Sequence, residues 1–90
     1  MLIGVDFGLK RTGVAVTDSS MIIASPLDMI PSNQIMEWIK AFHAKHSLQG
    51  IVLGFPLSVN GDYTHITENV LLFKSALEKE FVGLPVYLQD

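Results

Sequence analysis

No cysteine occurs among the 90 residues. Disulfide staples, a thiolate nucleophile and a zinc–thiolate centre are therefore excluded, and a reducing, cytoplasmic location is the natural expectation. Charge is scarce too. Charged residues make up 17%, and nine acids against six bases leave a net charge of −3. A domain that grips nucleic acid non-specifically carries an excess of lysine and arginine, which this chain lacks. A nuclease whose positive charge comes with metal ions stays open. No apolar run approaches the roughly 20 residues that span a bilayer, and no basic leader precedes the first apolar run. Neither a membrane span nor a signal peptide is expected. Repeats, low-complexity tracts and linkers are also missing.

What the chain does have is core-forming material: 49% of its residues are hydrophobic. Its length suits one domain, residues 1–90. A chain this short buries roughly 60% of its unfolded surface, enough for one modest core. Leu2–Phe7 and Gly13–Asp18 read as two apolar strands joined by a short loop. Ser19-Ser20 marks a turn, and Met21–Ala24 reads as a third strand, antiparallel because the connection is tight. Ser25-Pro26 is expected to bend the chain away, with Leu27–Ile30 leading out. A helix follows, with Ser32 or Asn33 as its N-cap. Ile35, Ile39 and Phe42 recur at helical spacing, and Met36 widens that stripe. Ile51-Val52-Leu53 is a short continuous apolar run, the pattern of a strand buried on both faces of a parallel sheet.

Gly54–Asp62 reads as a loop, and Asn60-Gly61 within it is a turn dipeptide. Thr64 is placed to cap a second helix, whose buried stripe is Ile66, Val70, Phe73 and Leu77. Lys74, Glu78 and Lys79 fall on its wet side. Gly83 and Pro85 stop it, and Val86-Tyr87-Leu88 forms the last strand. The order is β-β-β-α-β-α-β. Right-handed crossovers then give a mixed α/β sheet of order 3-2-1-4-5, with strand one in the middle. Strands one, four and five would run parallel, so their carboxyl ends share one edge. That edge is where open α/β sheets bind ligands.

Asp6, the Gly54–Asp62 loop and Asp90 fall on that edge. A carboxylate in an apolar strand is costly to bury without a partner. Two nearby carboxylates favour a shared cation, and hard oxygen ligands favour Mg2+ or Mn2+ over zinc. Such an ion could activate water for phosphodiester hydrolysis. Asp6 could equally be a structural acid that accepts from amides of the Gly8–Thr12 loop. Lys10 and Arg11 either contact substrate phosphate or serve as solvated turn charges. Gly8 and Gly13 are expected to supply positive φ or close backbone approach. His43, His46 and His65 form no ligand cluster, and His46 reads as a cation at a helix C-terminus. Trp38, Phe42, Phe73 and Phe81 read as core.

Val5-Asp6-Phe7-Gly8-Leu9-Lys10-Arg11-Thr12-Gly13-Val14-Ala15 resembles the opening motif of the YqgF-type family. Gly54-Phe55-Pro56-Leu57 with Asn60-Gly61 is similar to that family's second motif, and Ala24–Leu27 fits its third strand. The resemblance spans Leu2 to Asp90. It implies a ribonuclease H-like fold. It also implies a metal-dependent nuclease acting in 5′ processing of pre-16S ribosomal RNA or on branched DNA. Catalysis by Asp6, metal binding by Asp6 and Asp90, and substrate contacts from Lys10, Arg11, Gly54, Pro56 and Leu57 follow from it. The family uses three acids, and only the first is matched. The chain stops at the Asp of an Asp-Glu-Arg run, with the second acid, the covering C-terminal helices and the third acid missing. An inactive fragment that self-associates through exposed apolar surface is therefore expected. Two other readings share the Asp6-x-Gly8 turn. One is a phosphate-binding half-domain of the actin and sugar-kinase type; the other is a non-catalytic scaffold.

Overall fold

The computed structural model describes residues 1–17, 23–54 and 65–89. Strands β1 (Leu2–Asp6), β2 (Arg11–Thr17) and β3 (Ile23–Pro31) come first. A short 3-10 turn, Ser32–Gln34, leads into α1 (Ile35–His46); then follow β4 (Gly50–Gly54), α2 (His65–Glu80) and β5 (Val86–Gln89). The five strands form one sheet in the order β3-β2-β1-β4-β5. β1 pairs antiparallel with β2 and parallel with β4, and β4 pairs parallel with β5. The chain thus has the α/β topology of a ribonuclease H-like sheet.

Side chains alternate across a strand, and the register sorts them into two faces. Ile3 and Val5 of β1 join Ile51 and Leu53 of β4 beneath Ile35 and Ile39 of α1 and Val70, Phe73 and Leu77 of α2. Both helices therefore share one face and one core. The expected stripes account for this, since Ile35, Ile39, Val70 and Leu77 are at most 2% exposed. The other face carries Leu2, Gly4 and Asp6, beside Thr17, Ala15 and Gly13 of β2 and Gly50 and Val52 of β4. Among the described residues no helix lies over it.

Three local expectations are corrected. β2 begins at Arg11, two residues early. β3 does not turn away at Ser25-Pro26 but runs through to Pro31. Its pairing with β2 shifts register between Val14 and Ala15 and again between Val16 and Thr17. Those shifts, on an edge strand, let Pro26 sit in a ladder without breaking it. Finally, neither Ser32 nor Asn33 caps α1: the cap position is Gln34, which makes no side-chain cap bond.

The helix ends are otherwise as read. α1 closes with Ser47 in the left-handed region (φ 55), its N–H bonded to the His43 carbonyl at 2.8 Å. The Leu48 N–H then donates to His43 Nδ1 at 2.8 Å, so His43 closes the helix. His46 stacks on Phe42 instead, 4.3 Å between centroids. Gly83 ends the α2 segment at φ 88, a conformation that suits only glycine well. The Thr64 cap, the Ser19-Ser20 turn and the Asn60-Gly61 turn lie outside the described residues.

Candidate functional site

Asp6 is the last residue of β1, the middle strand, on the face opposite the helices. It is exposed, which corrects the expectation of a buried acid. A strand end on a face without a helix leaves the carboxylate in water, so its presence needs no compensating partner.

What shapes its surroundings is glycine on both sides. Asp6 pairs with Gly13 of β2. A Cβ at Gly13 would lie 3.9 Å from Asp6 Cβ and 3.7 Å from Met29 Cε. On the other flank, a Cβ at Gly54 would lie 3.8 Å from Asp6 Oδ1. The carboxylate thus leans toward the carboxyl end of β4, as the parallel pairing requires. A methyl would fit at either glycine, but a larger side chain would fill the gap. Neither glycine has positive φ, so space rather than conformation is what they supply. An open cavity of about 200 Å³ extends from Asp6 along the sheet, lined by Gly4, Gly13, Val14, Ala15, Pro26 and Met29 and by a second acid, Asp28.

The loop after β1 brings cations to the same edge. Lys10 and Arg11 are both exposed. Arg11 is two residues before Gly13, so the pleat puts it on the face of Asp6. Gly8 is the residue that lets this loop close. A Cβ there would collide with the Arg11 carbonyl oxygen, so here close approach demands glycine. Phe7 anchors the loop's start by stacking on Phe73 of α2, 4.8 Å between centroids.

Of the expected site residues, the structure brings together Asp6 and Gly54, with Lys10 and Arg11 in the segment that follows β1. Pro56, Leu57 and Asp90 lie outside the described residues. Gln89 escaped sequence reading. It pairs with Gly54, in line with Asp6 on the same face, and the alternation of Val86-Tyr87-Leu88 could have located it. Among the described residues no three acids or histidines cluster as a ready metal cage. Asp6 supplies one hard oxygen donor group, and Mg2+ commonly takes only one or two protein carboxylates and keeps its waters.

The family model for RuvX, described as Holliday junction resolvase, matches residues 1–90. The chain belongs to the RuvX family. Curated relatives of this RuvX chain carry the name "Putative pre-16S rRNA nuclease". One from Bacteroides thetaiotaomicron is 33% identical over 89 residues, covering 99% of this chain and 64% of the relative. One from Phocaeicola vulgatus is 34% identical, again over 99% and 64%. One from Rickettsia typhi is 40% identical over 92 residues, covering 99% of this chain and 58% of its own length. The chain therefore spans under two thirds of the RuvX relatives it matches.

Proposed function

We propose that this chain carries the central-strand half of a metal-dependent nuclease site that hydrolyses phosphodiesters, in pre-16S rRNA processing or in branched DNA. One observation carries the reading: an exposed Asp6 at the carboxyl end of the middle strand, set between two glycines. RuvX membership and the names of the relatives support it. Family membership likewise favours it over the kinase-type half-domain and the scaffold.

In this reading Asp6 would hold Mg2+ or Mn2+, with Asp90 as a second candidate, and the ion would supply water activation and charge stabilisation. The chain's own residues do the rest. Gly13 and Gly54 keep the space beside the carboxylate open for phosphate, and Lys10 and Arg11 contact substrate phosphate. Pro56 and Leu57 are further substrate contacts in the family's second motif. A cytoplasmic site of action accords with an RNA substrate, and among the described residues no helix is long and apolar enough to cross a membrane.

Asp6→Asn tests the assignment. In the full-length protein it should abolish Mg2+-dependent cleavage of an RNA stem–loop while circular dichroism stays unchanged. Undiminished cleavage would remove Asp6 from the mechanism. The 90 residues alone, which span under two thirds of those relatives' length, should cleave nothing. They should also self-associate through the face that lacks a helix.

A further inference from the structure

Ser32 sits between β3 and α1, where a helix cap was expected, and its carbonyl does accept from the Ile35 N–H, but its hydroxyl and its own N–H run the other way. Its Oγ donates to the Gly8 carbonyl at 2.6 Å and lies 2.8 Å from Thr12 Oγ1. Its backbone N–H donates to the Lys10 carbonyl at 2.8 Å. A hydroxyl has one proton. With that proton on Gly8, the Thr12 hydroxyl must be the donor to Ser32. Thr12 is fully buried, so water competes little for this exchange. Gly8 and Lys10 lie in the short loop after β1, and Thr12 is the second residue of β2, into which that loop leads. A residue 24 positions away in sequence from Gly8 therefore pins the loop together with the start of the next strand.

We infer that Ser32 is a positioning residue for phosphate recognition. It holds the Gly8–Thr12 loop in one closed shape, so that Lys10 and Arg11 meet a phosphodiester backbone already ordered. Backbone freedom that must be frozen on binding subtracts from affinity, and a loop fixed beforehand avoids that loss. The inference rests on reading Lys10 and Arg11 as backbone contacts.

The test is a double-mutant cycle in the full-length protein. Binding of a fluorescein-labelled RNA stem–loop is followed by anisotropy over a series of salt concentrations. Ser32→Ala should weaken binding about five- to tenfold, the scale of one or two lost hydrogen bonds, and flatten the salt dependence. Ser32→Thr, which keeps the hydroxyl, should restore it. In a Lys10→Ala/Arg11→Ala background, Ser32→Ala should cost almost nothing further, because the groups it positions are gone. If the loss is equally large in that background, Ser32 acts independently of the loop and the inference fails. If Lys10→Ala/Arg11→Ala weakens binding but Ser32→Ala does not, the inference fails while the phosphate reading stands. If the double variant binds normally, the phosphate reading falls and takes the inference with it. Should Ser32→Ala not fold, Thr12→Val removes the donor to Ser32 at similar volume and enters the same cycle, with the same outcomes deciding.

Discussion

At the scale of single residues, glycine decides what the site can be. Gly8 is required by contact: any side chain would meet the Arg11 carbonyl. Gly8→Ala should cost about 1–3 kcal/mol, the usual range for overpacking a tight site, seen as a lower urea midpoint. It should also weaken RNA binding, since the loop must open to fit the methyl. Gly54 is different. Alanine there makes an ordinary contact with Asp6, so Gly54→Ala should leave stability near that of the parent. An equal loss at both positions would show that the loop is not the crowded one. The place of Asp6 at the end of the middle strand was legible, since a lone acid closes an apolar run. Its exposure was not legible, because burial depends on which face the helices choose.

At the scale of elements, the helices are tied to each other as well as to the sheet. Lys40 of α1 bridges Glu80 at the end of α2 at 2.8 Å and Glu37 on its own helix at 3.4 Å. Hydrogen bonding to Glu80, then to Glu37, raises the Lys40 pKa above its ordinary value. A raised lysine pKa stabilises the fold fully below the unfolded value, and the gain is lost as pH climbs through the folded one. Lys40→Met should therefore lower the thermal midpoint slightly at neutral pH, less so in high salt, as exposed pairs do. The gap between variant and parent should close only at strongly alkaline pH. A gap that closed near neutrality would point to another group. The strand order was readable because tight turns and helix crossovers leave few arrangements. The length of β3 was not. Pro26 looked like a bend, and only pairing with β2 shows an edge ladder that tolerates it. Ser32 was misread for a similar reason: a serine before a helix pattern resembles a cap, and its true partners lie far away in sequence.

At the scale of the whole molecule, one face of the sheet is dressed and the other is bare among the described residues. Met29 (59% exposed) and Tyr87 (38%) stand on that bare side, flanking the small residues Gly4, Gly13 and Ala15. Apolar area of this kind invites cover. The 90-residue chain should run larger than a monomer by light scattering as concentration rises, and Met29→Lys with Tyr87→Lys should return it toward one copy. A monodisperse monomer at high concentration would count against self-association.

The parallel neighbour of β1 arrives late. Gln49 and Met1, 48 positions apart, clasp each other through the Met1 ammonium at 2.9 Å and the Gln49 N–H at 2.8 Å. The three-stranded meander can zip from local turns soon after it leaves the ribosome, whereas β4 must wait for α1 to be made and swung across. Until then the central strand has an open flank, and that unclaimed edge is the stage at which a nascent copy is most vulnerable to pairing with a stranger.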